Sequence, residues 1–315
     1  MRAIPRATSR TEEVMDLPYV ETPDGRWLAF ESTGPDDGVP VVLCHGMPGS
    51  KAGPRPRPMR LHSLGIRLIS YDRPGYGGST RKQGRSVADA AADVAAIADQ
   101  LELAKFAVVG RSGGGPHALA CAELLGNRVT RTAVLVSIAP ATADGLDWSD
   151  GMAPSNVEAY EQAKTEEALI QTLTARAEAM RDDPETMLNF LKPQMGERDW
   201  AIVDDMRRQL HEAYREAVQG GPGGWIDDVL AFRKPWGFAL TGIKTPVRLW
   251  HGDDDTFSPV SHSRWLKDRL PTAELEVQVG KGHFAAMETL PRMLQWCVGQ
   301  AEQTEFALGP SAGAA

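Results

Sequence analysis

A serine, a run of aspartates and a histidine follow one another along the chain and could together perform nucleophilic catalysis. In order, these residues are Ser112, Asp253, Asp254, Asp255 and His283. A serine hydroxyl is a weak nucleophile at neutral pH, so it needs a histidine base that a carboxylate orients. The residue types therefore predict covalent acyl transfer through a serine, provided that the fold brings the groups together.

The surroundings of Ser112 favour it as the nucleophile. The residue lies in a G-x-S-x-G motif that follows the apolar segment FAVVG and precedes a helical pattern, as expected for a sharp strand-to-helix turn. A second match around Ser311 lies in a low-complexity tail and has no such neighbours. A phosphate-binding loop is not favoured, because GRSGGG has neither the G-x-x-x-x-G-K-[ST] nor the G-x-G-x-x-G spacing.

The position of His283 along the chain favours it as the base. On a strand-to-helix turn of this kind the acid and then the histidine follow the nucleophile. His283 comes last, in a glycine-containing loop after the segment LEVQV. The other histidines lie too early, on a helical pattern or at a strand end; they are His45, His62, His117, His211, His251 and His262.

Three adjacent aspartates leave the identity of the acid open. They follow the strand-like segment VRLW, and aspartates in such loops often only form turns or cap helices. A metal site is the other interpretation, but consecutive carboxylates point in different directions and no second cluster is evident. We expect no metal here.

The loop HGMPGS at residues 45–50 follows another apolar segment, VVLC. Backbone amides in such a loop could stabilise a developing oxyanion. An ordinary glycine–proline turn is the alternative. The amides of Met47 and Gly113 become partners only if the two loops converge.

The composition is that of a globular protein. Of 315 residues, 42% are hydrophobic, and no apolar run approaches the roughly 18 residues of a membrane span. A formal net charge of −8 gives no general attraction to nucleic acid or anionic membranes. It suits a neutral or cationic small-molecule partner, and solubility alone is the alternative explanation. The three cysteines form no CxxC motif, so we expect no zinc site or disulfide framework. We also expect no cofactor. No secretory signal is visible, which predicts a cytoplasmic protein.

Alternating apolar and helical segments predict an α/β fold with a mostly parallel sheet covered on both faces. The predicted strands are Arg26–Ser32, Val39–Cys44, Ile66–Tyr71, Phe106–Gly110, Val129–Ile138, Val247–His251 and Leu275–Val279. The predicted helices between and after them are Ser86–Leu101, Gly115–Leu125, Val260–Leu270 and Ala285–Gln300.

One charged stretch interrupts the alternation and is helical throughout. Its predicted helices are Asn156–Asp182, Pro184–Met195 and Arg198–Val218, followed by the breaker-rich segment QGGPGGW. We interpret it as a helical insertion rather than a separate domain. The predicted organisation is a flexible leader at 1–17, a core at 18–140 and 243–303, an insertion at 141–242 and a flexible tail at 304–315.

Five segments in order give the chain a strong resemblance to the α/β-hydrolase family. They are HGMPGS (45–50), YDRPGYGGS (71–79), GRSGGG (110–115), HGDDDTFSP (251–259) and GKGH (280–283). The resemblance implies Ser112 as nucleophile, His283 as base, the Met47 and Gly113 amides as oxyanion hole, and the helical insertion as a cap. The family's H-G-x-x-D loop, with proline four residues later, implies Asp255 as the acid.

Some features depart from particular relatives within that family. Arg111 is uncommon before the nucleophile and could face the sheet or the pocket. A serine nucleophile limits similarity to haloalkane dehalogenases and epoxide hydrolases, which use aspartate, to the fold. The motif also differs from the GGSWGS-like form of proline iminopeptidases.

The leading functional hypothesis is a serine hydrolase that cleaves a carboxylic ester, thioester or lactone. An aminopeptidase or amidase would need a carboxylate on the insertion, such as Glu161, Glu166 or Glu167, to bind a substrate amine. A cofactor-free perhydrolase or acyltransferase could use the same three residues. A non-catalytic ligand-binding relative is the alternative of another class.

Overall fold

The computed structural model describes residues 18–300, so the predicted leader, the predicted tail and Ser311 lie outside the described residues. Eight strands form one sheet in the order β1-β2-β4-β3-β5-β6-β7-β8. The strands are β1 (Tyr19–Glu21), β2 (Trp27–Thr33), β3 (Val39–Cys44), β4 (Ile66–Tyr71), β5 (Phe106–Arg111), β6 (Val129–Leu135), β7 (Val247–Gly252) and β8 (Ala273–Gln278). The predicted α/β fold with a mostly parallel sheet is confirmed.

Helices cover the sheet and fill the chain between β6 and β7. They are α1 (Pro58–Ser63), α2 (Asp89–Gln100), α3 (Gly114–Leu124), α4 (Pro154–Gln162), α5 (Glu166–Asp182), α6 (Glu185–Leu191), α7 (Glu197–Asp205), α8 (Arg207–Ala217), α9 (Gly223–Phe232), α10 (Val260–Arg269) and α11 (Ala286–Cys297). In residues 18–300 no helix has the length and hydropathy that a bilayer crossing requires.

The register of the sheet determines which loops meet at its edge. Strands β1 and β2 pair antiparallel, β2 also pairs antiparallel with β4, and all further pairs are parallel. Cys44 at the end of β3 is opposite Gly110 near the end of β5, and Gly252 at the end of β7 is opposite Gln278 at the end of β8. Parallel strands end at the same edge, so the loops after β3 and β5 leave side by side, as do those after β7 and β8.

The helical insertion consists of α4–α9, and it leaves and re-enters the sheet between two neighbouring strands, β6 and β7. The segment predicted to be helical is therefore helical along most of its length. Its predicted limits at residues 141 and 242 stay a prediction.

Three elements, β1, α1 and α9, were absent from the sequence-based expectation. Strand β1 has three residues and helix α1 has six, which is too short for a periodic pattern to emerge. Helix α9 begins at Gly223, inside the segment whose glycines were expected to break helices. The reason is tertiary: a Cβ at Gly224 would lie 2.5 Å from Cδ2 of Tyr76, so glycine permits the helix to approach the core loop.

We expect Gly224→Ala to lower the free energy of unfolding by about 1–3 kcal/mol, the usual cost of overpacking a tight contact. The added methyl would also lie 2.7 Å from the carbonyl carbon of Gly75. Gly220→Ala is the matched control, because its Cβ would have a single neighbour at 3.6 Å and should change stability by less than about 0.5 kcal/mol. Urea unfolding of both variants measures the difference, and equal effects would contradict the close-approach argument.

Candidate active site

Ser112 lies on a tight turn between strand β5 and helix α3. Its φ angle is +53°, in the left-handed region, and its amide donates a hydrogen bond of 2.9 Å to the carbonyl of Leu135 on β6. A Cβ at Gly114 would lie 2.1 Å from the carbonyl oxygen of Cys44. The turn can therefore pack against the end of β3 only because residue 114 is glycine. The G-x-S-x-G motif at Ser112 therefore has the strand–turn–helix context expected of it.

Met47 and Gly113 are brought together, as the register of β3 and β5 requires. A Cβ at Gly113 would lie 2.8 Å from Cβ of Met47 and 3.4 Å from its amide nitrogen. Both residues line the same cleft as Ser112. The two loops named from the sequence therefore converge beside Ser112, whose Cβ would lie 3.6 Å from a Cβ on Gly46.

Asp255 is the aspartate that turns toward His283. Its Oδ2 accepts a hydrogen bond of 2.8 Å from Nδ1 of His283, and its Oδ1 accepts from the amides of Phe257 and Ser258 at 2.8 and 3.0 Å. Burial disfavours the charged carboxylate, but the charge of His283 and the hydrogen bonds from His251 and His283 outweigh it. The pKa of Asp255 is therefore held below its ordinary value.

The hydrogen bond to Asp255 determines the tautomer of His283. With Nδ1 donating to the carboxylate, Nε2 keeps its lone pair and can accept a proton. Phe257 and Phe284 pack edge-on against the ring, with centroids 5.4 and 5.8 Å away, and restrict its orientation. Ser112 and His283 line the same cleft.

The two neighbouring aspartates have other partners. Asp253 accepts a hydrogen bond of 2.7 Å from the amide of Gly280, and the amide of Asp254 donates to the carbonyl of Lys281. Both residues are exposed, whereas Asp255 is buried. They connect the loop after β7 to the loop after β8.

His251, at the end of β7, contacts the loop that carries Asp255. Its Nε2 lies 2.5 Å from the carbonyl of Ser258 and 3.2 Å from Oδ2 of Asp255, while its Nδ1 lies 2.7 Å from the hydroxyl of Ser263. A ring with Nε2–H donating to the two oxygens and Nδ1 accepting from the hydroxyl satisfies all three contacts. This histidine therefore positions the acid, which its place at a strand end did not indicate.

A buried ion pair connects the insertion to the loop that carries Met47. Asp228 on α9 lies 2.5 Å from Arg73 and 2.7 Å from Arg85, and all three side chains are buried. Arg73 also donates hydrogen bonds to the carbonyls of His45 and Gly46. Burial disfavours the Asp228 carboxylate, but the charges of the two arginines outweigh it and lower its pKa.

A second carboxylate of the insertion contacts the loop of the histidine. Asp199 on α7 accepts a hydrogen bond of 3.0 Å from the amide of Phe284, next to His283. Burial raises the pKa of Asp199 above its ordinary value, although the charge of His283 and the Phe284 amide act in the opposite direction. Asp199 had no sequence signal, because acidic residues on charged helices are most often solvated. Asp228 had none because its helix, α9, was not expected from the sequence. Arg73 lay within the recognised segment YDRPGYGGS, but its role there depends on a partner 155 positions away.

The cleft around Ser112 is lined by the sheet-edge loops and by side chains of α4, α5, α6, α8 and α9. Arg111 faces this cleft, which decides between the two orientations that the sequence left open. Glu161, Glu166 and Glu167 are exposed outside it, and Glu161 pairs with Lys164.

Within residues 18–300 no group of three or more histidine, cysteine or acidic side chains could hold a metal ion.

A family model of the α/β hydrolase fold matches residues 39–290, most of the chain. The protein therefore belongs to the α/β hydrolase family, and the resemblance drawn from the five sequence segments is confirmed.

Relatives and solved structures agree with this assignment. The non-heme chloroperoxidase of Streptomyces lividans is 28% identical over 279 residues, which cover 87% of this chain and 95% of that protein. The bifunctional esterase/perhydrolase of Acinetobacter calcoaceticus is 26% identical over 245 residues, covering 76% of this chain and 83% of that protein. A thermophilic esterase from Thermogutta terrifontis shares the fold, with a TM-score of 0.64 over 89% of this chain and 96% of that chain at 23% identity.

We expect Asp228→Asn to lower the free energy of unfolding at pH 7 by about 3–5 kcal/mol, because it leaves two buried arginines without a counter-charge. The pKa of Asp228 is lower in the folded chain. Its stabilisation is therefore complete above the unfolded-state value of about 3.9 and declines as the pH falls toward the folded-state value. Glu212→Gln removes an exposed partner of Arg208 and should cost less than about 1 kcal/mol. Chemical unfolding at pH 7 and pH 3 tests both; a wild-type advantage over Asp228→Asn that does not shrink at pH 3 would contradict the assignment.

Proposed function

We propose that the protein is a serine hydrolase that cleaves a carboxylic ester, thioester or lactone of a small molecule. The observation that carries the proposal is the 2.8 Å hydrogen bond between buried Asp255 and His283, in a cleft that also contains Ser112 on its strained turn. A family membership shared with proteins named as esterases supports the same conclusion.

In the proposed reaction the Ser112 oxygen attacks the substrate carbonyl carbon while Nε2 of His283 accepts the hydroxyl proton. Asp255 stabilises the imidazolium that forms, and it keeps Nδ1 protonated. The amides of Met47 and Gly113 would hold the tetrahedral oxyanion. The imidazolium then protonates the departing alkoxide or thiolate. Water, deprotonated by the same nitrogen, releases the acid from Ser112.

The charge of the cleft argues against an amine-binding peptidase. Among the described residues that line it, the permanently charged side chains are Arg111 and Arg176, and there is no aspartate or glutamate. The acidic candidates Glu161, Glu166 and Glu167 are exposed elsewhere on the insertion. A substrate ammonium would therefore have no carboxylate partner in this cleft.

Perhydrolysis is a second candidate, favoured by similarity to an esterase/perhydrolase and a non-heme chloroperoxidase. The acyl group on Ser112 would be transferred to hydrogen peroxide instead of water, giving a peroxy acid and the free serine. The two candidates share every step up to the acyl-enzyme, so they differ in the rate of peroxide attack. Peroxy acid formation during ester turnover with added peroxide measures that rate.

A fluorophosphonate probe should label Ser112, because only a serine with a positioned base reacts quickly. Ser112→Ala should abolish labelling and reduce p-nitrophenyl acetate turnover by at least about 10³-fold. Ser155, another serine lining the cleft, supplies the control: Ser155→Ala should still be labelled. Peptide mapping locates the adduct, and an adduct on any other serine would refute the assignment, as would a protein that neither reacts nor turns over.

The three aspartates provide a sharper test, since they are adjacent but have different partners. Asp255→Asn keeps the size of the side chain but removes the charge that stabilises the imidazolium, so we expect kcat to fall roughly 10²–10⁴-fold. Asp253→Asn weakens one hydrogen bond between the two loops, and Asp254→Asn leaves the backbone hydrogen bond of that residue intact. Each should therefore cost about tenfold or less. The measurement is kcat on one ester, with circular dichroism to verify folding. A severe loss in either neighbour, with Asp255→Asn mild, would identify a different acid.

A further inference from the structure

Arg111 precedes the nucleophile and has a guanidinium group without a partner in the described part of the chain. The side chain lines the cleft that contains Ser112, and its Nη1 is buried without any hydrogen-bond acceptor. Its Nη2 is directed toward the loop after β3, about 4.0 Å from where a Cβ on Gly46 or Gly53 would lie. A buried cation without a counter-ion is costly, so its position requires an explanation.

The three arginines that are buried as whole residues in the described part of the chain all have carboxylate partners. Arg26 pairs with Asp93 at 2.8 Å, and Arg73 and Arg85 both pair with Asp228. Arg111 is therefore an exception to the way in which this protein accommodates buried positive charge. The difference lies in its position, because Arg111 alone of these four lines the cleft.

The surroundings of Arg111 leave its charge uncompensated. The neighbouring titratable group is the phenol of Tyr214 on α8, and burial raises the pKa of that phenol to about 12, so it is neutral at pH 7. Burial also lowers the pKa of the Arg111 guanidinium to about 10, which still leaves it cationic at neutral pH. Arg176, the second arginine of the cleft, is neutralised by Glu158 at 2.9 Å.

We propose that Arg111 binds a carboxylate of the substrate, so that the preferred substrate is an ester or lactone that carries a free carboxylate near the scissile carbonyl. A guanidinium donates two parallel hydrogen bonds to a carboxylate and so supplies both charge and orientation. The partner missing from the protein would then arrive with the substrate. This inference rests on the proposed serine hydrolase activity of the same cleft.

The test compares monomethyl and dimethyl esters of succinate, glutarate and adipate, which differ in one negative charge and in the distance between that charge and the ester. We measure kcat/KM for each pair at pH 7 in a pH-stat. The wild-type protein should prefer at least one monoester over its diester by about tenfold or more, the value of one charge-assisted contact. Arg111→Met should reduce this preference by about 10–100-fold, and Arg111→Lys should retain part of it.

Arg176→Met is the matched control, because it removes the other arginine of the cleft, whose charge is already paired. It should leave the ratio between monoester and diester at the wild-type value. The proposal is overturned if the wild-type protein prefers the diester in all three pairs, or if Arg111→Met lowers both kcat/KM values by the same factor. Either result with measurable ester turnover refutes only the role of Arg111, whereas absent turnover and an unlabelled Ser112 refute the hydrolase itself.

Discussion

The ion pair between Arg73 and Asp228 is the constraint on which the site depends. Asp228 belongs to the helical insertion, and Arg73 follows a strand of the core and binds the carbonyls of His45 and Gly46. Both charges are buried, so separating them would leave an ion in an apolar environment at a cost of several kcal/mol. The insertion and the loop carrying Met47 are therefore held in one arrangement, and the cleft between them is shaped by both.

The sheet contributes the second part of the geometry. The loops with Met47 and Gly113 leave neighbouring parallel strands, and so do the loops with Asp255 and His283. Because parallel strands end at one edge, four segments far apart in sequence reach the same cleft without further adjustment. Asp199 adds a contact from the insertion to the backbone beside His283, so the insertion contacts the site at both sides.

Charge is distributed differently in the cleft and over the whole chain. A formal net charge of −8 suggested a neutral or cationic partner, but that number sums the charges of the whole chain and does not describe the cleft. The cleft contains arginines and no acidic lining residue among those described, and Arg111 has no counter-ion there. A local potential in a partly desolvated cleft is stronger than the field of distant, screened surface charges. The charge of the site therefore favours an anionic ligand, contrary to the expectation from the net charge of the whole chain.

The sequence by itself determined the α/β alternation, the turn around Ser112 and the late loop around His283, because each is a local pattern of apolar runs, glycines and chain order. Resemblance to a family went further and named Asp255 among three adjacent aspartates. Only the tertiary structure decided the orientation of Arg111, the start of α9 at Gly223 and the partnership of Arg73 with Asp228. These features depend on contacts between residues far apart in the sequence, 155 positions apart for Arg73 and Asp228. Local propensity contains no information about such contacts.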